Sequence, residues 1–95
     1  MAKVRYSKLA SLDLYENSEF IARDKPEAAY RWVERIETAC QTLAQNPEMG
    51  QRRTSKNHGP CRSYSCGNYV IFFRGLDGGV EIIRIVRGAR DLDNV

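Results

Sequence analysis

The chain is poor in groups that exchange protons near neutral pH. It has one histidine, His58, set in a polar stretch between Asn57 and Gly59. Its three cysteines, Cys40, Cys61 and Cys66, are an odd number. A single histidine cannot complete a zinc ligand set, and the Cys61/Cys66 spacing fits no zinc pattern. No cysteine has a histidine or acid at a spacing that suggests a thiol enzyme. No charged start followed by an apolar middle marks a leader, and no apolar run is long enough to span a bilayer. Reduced thiols in a cytoplasmic protein follow, with no membrane partner. Gly75 to Gly79 lacks the lysine and the strand-to-helix setting of a phosphate loop, so it reads as a turn. No cofactor and no metal are expected. Repeats and low-complexity tracts are also missing, and 95 residues make one domain, 1–95. A chain this short buries only about 60–70% of its unfolded surface, so its own core gives modest stability.

What the chain does have is a concentrated strand signal. Tyr69-Val70-Ile71-Phe72-Phe73 is β-branched and aromatic, and so is the run from Val80 to Val86. The glycines between them supply the positive φ angles of a tight reversal. Upstream, Lys3-Val4-Arg5-Tyr6 reads as a short edge strand. Ser7 offers a cap to a helix over 8–23. Ala10, Leu14 and Ile21 form its apolar stripe, widened by Leu9 and Phe20, with Asn17 in the middle. Pro26 suits a first helical position, and Ala29, Val33, Ile36, Cys40 and Leu43 then recur at helical spacing with Trp32 beside them. Asn46-Pro47 ends that helix. The short connection at 24–26 makes the helices an antiparallel hairpin. Residues 47–60 read as a polar loop carrying Arg52, Arg53, Lys56 and His58, and 61–66 as a short strand. The predicted class is α+β: an N-terminal β-strand, an antiparallel helical hairpin, then a three-stranded antiparallel sheet, in the order β-α-α-β-β-β.

A two-residue period puts Val80, Ile82, Arg84 and Val86 on one face of the last strand, and Glu81, Ile83, Ile85 and Arg87 on the other. Both faces are largely apolar, as in strands covered on both sides. Two helices cover one face. The second face requires an arm of the chain, a second subunit or a partner.

Charge is divided unevenly. Up to Gly50 there are 7 Lys+Arg against 8 Asp+Glu; from Gln51 onward there are 8 against 4. A positive C-terminal half favours an acidic partner, nucleic acid or protein. Arg84 stands among apolar residues, where an unpaired charge is costly. It either pairs with Glu81 or Asp91 or points into an open cleft.

Several separated signals resemble the ParE branch of the RelE/ParE toxin superfamily. They are Ala10-x-x-Asp13-Leu14, Phe20-Ile21-Ala22-x-Asp24-x-Pro26-x-Ala28-Ala29, Leu43-x-x-x-Pro47-x-x-Gly50, Arg62-Ser63, Tyr69 to Arg74, and Ile82 to Asp91. Asn17 and Arg87 depart from the pattern, where an apolar residue and a histidine are usual. The resemblance implies the same order of elements, a cognate ParD-like antitoxin in a hetero-oligomer, and DNA gyrase as target. An antitoxin segment lying across the toxin would bury the second face, with Trp32, Tyr30, Val80 and Ile82 as its contacts. Arg62, Arg74, Arg84, Arg87 and Arg90 are the expected target contacts, set against internal pairing of Arg90 with Asp91 or Asp93. No catalytic residue is expected. Arginine stays protonated and is no base, Glu81 reads as a cross-strand partner for an arginine, Lys56 needs strong desolvation to act, and no tyrosine follows Tyr69. The alternatives are a ribosome-dependent mRNA endonuclease of RelE type and a non-toxic remnant that binds only antitoxin.

Overall fold

A computed structural model describes residues 2–88 and 94–95. Strand β1 (Lys3–Tyr6) leads into helices α1 (Lys8–Ala22) and α2 (Pro26–Gln45), followed by strands β2 (Gln51–Ser55), β3 (Gly59–Cys66), β4 (Tyr69–Leu76) and β5 (Gly79–Arg87). The strands form one sheet in the order β1-β5-β4-β3-β2. β1 runs parallel to β5, and the other neighbours are antiparallel. The α+β class and the helical hairpin are as the pattern predicts. The local signals hold too. Ser7 is extended and accepts at its hydroxyl from the Ala10 N–H, and Pro26 opens α2.

The 47–60 segment is not a loop. It contains β2, and a turn at 56–58 carries the chain into β3. No alternation announces this strand, because β2 is an edge strand with four of its five residues at least partly exposed. An edge strand exposed in this way can be polar on both faces, so the period-two signal disappears. Gly50 opens it with φ +88°, and a Cβ there would stand 2.5 Å from the Ser63 carbonyl oxygen, so only glycine fits.

A β-bulge corrects the face assignment in β5. Phe72 lies opposite Arg84 and Phe73 opposite Ile82, leaving Ile83 as the extra residue. Past the bulge the alternation is out of step with the simple two-residue count. Val80, Ile82 and Ile85 join Ile36, Cys40, Leu43, Ile71 and Phe73 in the core beneath the helices. Ile83 and Val86 belong to a second cluster with Cys61, Val70, Phe72 and Val95.

That second cluster overturns the expectation of an open apolar face. Phe72 is 1% exposed, Ile83 3% and Val95 2%. The chain covers this face with its own C-terminal residues. Val95 accepts from the Asn57 backbone N–H at 3.0 Å, and Asn94 accepts from the Asn57 side chain at 2.9 Å. Of the three covers the pattern allowed, an arm of the chain is the one present.

Helix α1 also differs from its expected stripe. Leu9 and Phe20 are 46% and 53% exposed, whereas Ala10 and Asp13 are buried. Asn17 donates back to the Asp13 carbonyl at 2.8 Å, which satisfies it within the helix. The burial of Asp13 has a clear cause. β1 ends opposite Ile82, so the rest of β5 has no strand on that side. Ser7 donates its N–H to the Ile82 carbonyl at 2.9 Å and its hydroxyl to the Ile83 carbonyl at 2.8 Å. Nearly two turns on, the Asp13 carboxylate accepts from the Ile85 N–H at 2.9 Å and from Arg84 at 2.7 and 3.0 Å.

Replacing a buried, paired carboxylate leaves a charge and a backbone donor to be re-satisfied, and costs about 3–5 kcal/mol. Asp13→Ala is therefore expected to lower Tm by more than 10 °C, taking ~4–8 °C per kcal/mol for a domain of this size. Asp13→Asn, which keeps one carbonyl acceptor, loses less. Thermal unfolding by circular dichroism checks both. A second outcome concerns pH. Burial pushes the Cys40 thiol from 9.0 up to about 11, and burial together with the neighbouring Cys40 also raises the Tyr6 hydroxyl. A thiol whose folded pKa is raised binds its proton more tightly in the native state than when unfolded. Its contribution is complete below pH 9.0 and disappears as pH climbs through about 11. Urea midpoints are expected to be flat up to pH 9 and to fall beyond it, less steeply in Cys40→Ala.

Candidate functional site

The sheet extends beyond its helices. The helices pack mainly on β1 and β5, so β2 and the first half of β3 project past them, while Tyr64 and Cys66 pack against the core. Register then dictates what the projecting end displays. Arg52 lies directly across from Arg62, and Thr54 across from Pro60. Arg62 in turn lies across from Phe73, so this row is on the helix-side face. The same end holds an open cleft of about 530 Å³, which Arg52, Arg53, Arg62 and Arg74 line together with Thr54 and Pro60.

The arginines of this end are not equivalent. Arg53 donates from Nε to the Ser63 hydroxyl at 2.6 Å and reaches Gln51 at 3.4 Å. Arg74 donates to the His58 carbonyl at 2.9 Å. Its Nε stands 4.0 Å from Glu81, a loose ion pair, and has no hydrogen-bond partner among the described residues. Glu81 is thus the cross-strand partner of an arginine, as its position on the strand suggests. Arg52 and Arg62 make no ion pair with any described carboxylate. The Cys61 thiol also lines the cleft. Burial raises its pKa, against a smaller pull from Ser55, Arg74 and Arg53. It is therefore held protonated at neutral pH. The groups at the cleft can bind an anion, and none of those lining it is a ready proton acceptor.

The other expected target residues are scattered. Arg84 forks onto Asp13, with side chains 26% and 12% exposed, and does not face an open cleft. Its partner is on α1, a contact across 71 positions that no local pattern announces. Arg87 is exposed at the end of β5 and its guanidinium lies 5.4 Å from the centre of the Phe20 ring. This cation–π contact explains why Phe20 stands outside the core and is still partly covered. Arg90, with Asp91 and Asp93, lies outside the described residues.

The residues expected to meet an antitoxin also separate. Val80 and Ile82 are 0% exposed beneath the helices, so they offer no surface, contrary to expectation. Both precede the bulge and lie on the helix-side face of β5, in the core with Ile36, Cys40, Leu43 and Phe73. Trp32 is 8% exposed and packs against Tyr69 with ring centres 4.8 Å apart. Its indole Nε1 is buried with no hydrogen-bond partner among the described residues. Tyr30, two positions earlier, is 76% exposed. It borders a groove of about 490 Å³ between the helices, with Ala22, Pro26, Ala29 and Val33 as the apolar lining and Glu19, Glu34 and Glu37 beside them. Arg52 and Arg53 were hidden by the reading of 47–60 as a loop. The paired arginines in Gln51-Arg52-Arg53-Thr54 were visible, but not the register that sets one of them against Arg62. Among the described residues no three His, Cys, Asp or Glu side chains gather as a metal set.

Comparison with known proteins agrees with this architecture. The chain resembles the Toxin RelE2 of Caulobacter vibrioides (strain ATCC 19089 / CIP 103742 / CB 15), with 34% identity over 90 residues, covering 95% of this chain and 99% of that one. The solved structure described as the chromosomal ParDE TA system from P. aeruginosa superposes with a TM-score of 0.75 at 24% identity, covering 93% of this chain and 97% of its own. At that identity it shows the fold alone. The family model for the ParE toxin of the type II toxin-antitoxin system, parDE, matches residues 4–92, and the chain belongs to that family.

Proposed function

We propose that this protein is the toxin of a type II toxin–antitoxin pair that inhibits DNA gyrase by binding it, with no covalent step of its own. The observation that carries this reading is the makeup of the cleft. It is lined by four arginines, none able to accept a proton, and by a thiol that burial keeps protonated. Cleavage of RNA requires a group to deprotonate the ribose hydroxyl and another to protonate the leaving oxygen. Arginines supply charge stabilisation and neither proton transfer.

A ParD-like antitoxin is the proposed partner, and the groove between α1 and α2 is its proposed seat. An amphipathic segment laid there would bury the ring of Tyr30 against Ala29 and Val33, with basic side chains meeting Glu19, Glu34 and Glu37. The groove and the arginine cleft share no lining residue. Antitoxin and target therefore meet different parts of the toxin, and neutralisation acts by reach or by coupling between the sites. It does not act by direct competition for the cleft.

A ribosome-dependent mRNA endonuclease is the second reading. It is favoured by the name of the Caulobacter relative. Two assays separate the readings. Purified toxin is expected to block supercoiling by gyrase while leaving mRNA on ribosomes intact. Cleaved mRNA with normal supercoiling would establish the second reading, and inactivity in both assays would leave an antitoxin-binding remnant. For the groove, Tyr30→Ala is expected to weaken antitoxin binding about tenfold or more, since exposed aromatic anchors often carry upward of 1.4 kcal/mol. The Tm should not move, because Tyr30 is 76% exposed. Unchanged affinity would place the antitoxin elsewhere.

A further inference from the structure

We propose that the Arg52–Arg62 row is a phosphodiester site that holds the sugar–phosphate backbone of a nucleic acid. The inference rests on the reading that this end of the sheet faces the target, and it names the chemistry met there. It begins with an arrangement that is unfavourable in isolation. Arg52 and Arg62 are direct cross-strand partners. Opposed residues in an antiparallel pair have Cβ atoms about 4.5–5.5 Å apart, and like charges in that position repel. No described carboxylate stands between them. A fold gains nothing from this pairing. An anion bridging the two would reverse its sign.

The shape of the cleft selects the anion. Thr54 and Pro60 form the next row on the same face, and Gly75, which also lines the cleft, has no side chain to fill the floor. The cleft is therefore an open trough with two guanidinium forks on one wall, a hydroxyl beside them and little relief elsewhere. A guanidinium fork matches the two free oxygens of a phosphate bidentately. A single phosphodiester can lie between two such forks, whereas two carboxylates of an acidic protein surface would have to be brought as close together as the arginines are. The trough is open and not closed, so it suits a long polyanion running through it. Arg53 and Cys61 are cross-strand partners one position along, on the opposite face of the sheet, and Arg74 lines the cleft beside them. Arg53 and Arg74 extend the positive field around the edge of the sheet. The lining carries no aromatic ring and no amide side chain, and both forks are committed to one phosphodiester, so binding is to backbone and is independent of sequence.

The test is binding of the full chain to a fluorescent DNA duplex, a single-stranded RNA and a poly-glutamate chain over a range of salt concentrations. Duplex affinity is expected to fall linearly on a log–log salt plot. In Arg52→Gln/Arg62→Gln the slope should shrink by about 1, at roughly 0.9 per lost phosphate contact. Affinity should drop tenfold or more, with Tm unchanged or slightly raised because a repulsive pair is gone. Tighter binding to the RNA than to the duplex, lost in the same variant, supports the site and identifies RNA as its source. Equal or tighter binding to poly-glutamate overturns the proposal in favour of an acidic protein surface. A double variant that binds DNA like the parent overturns it as well. Gyrase inhibition measured in parallel keeps the two readings apart. Inhibition without nucleic-acid affinity sinks the phosphodiester site and leaves the gyrase reading standing. Affinity without inhibition does the reverse.

Discussion

The fold depends on how the edge of β5 is closed. β1 has only the four residues Lys3–Tyr6, while β5 runs on to Arg87. Beyond Ile82 the backbone of a long, apolar strand would face outward with no ladder partner, the condition that leads strands to pair with other chains. α1 supplies the missing partners. The Ser7 backbone and hydroxyl, then the Asp13 carboxylate, satisfy successive groups along the strand. The bulge at Ile83 lets Arg84 leave the simple alternation and reach the same carboxylate. One acid on a helix thus closes an edge, neutralises an arginine and ties the helical hairpin to the sheet.

From that anchoring the surface chemistry follows. With the hairpin anchored on β1 and β5, the projecting strands β2 and β3 present arginines at the other end of the sheet. The hairpin itself keeps an apolar groove beside three glutamates, Glu19, Glu34 and Glu37. The two surfaces differ in both charge and shape. The negative first half and positive second half of the chain are the one-dimensional trace of this difference.

Much of this was legible in the residues. Tyr69 to Val86 announced the central hairpin, Ser7 and Pro26 the helix starts, and Asn46-Pro47 the helix end. The misses share one physical origin, contacts that local periodicity cannot encode. β2 lacked alternation because it is an exposed edge, so Arg52 could not be set against Arg62. The bulge exchanged the faces of Ile85 and Val86 relative to the simple count, and Arg84 pairs with a helix residue 71 positions away. Leu9 and Phe20 were counted as core because their spacing fits, yet α1 presents Asp13 to the strand and turns that side outward. The second apolar face was real, but Val95 and the β2–β3 turn cover it. The cover came from the chain itself, and two apolar faces alone do not say which molecule supplies the second lid.

The central claim is that the arginines divide into one that holds the fold and others that serve a partner. Equilibrium unfolding of Arg84→Gln and Arg62→Gln in the same denaturant series tests it most directly. The account predicts that Arg84→Gln loses about 2 kcal/mol or more, the cost of stripping a partner from a buried carboxylate. Arg62→Gln should stay within about 0.5 kcal/mol of the parent, as surface substitutions do. Equal losses, or a larger loss at Arg62 than at Arg84, would contradict it.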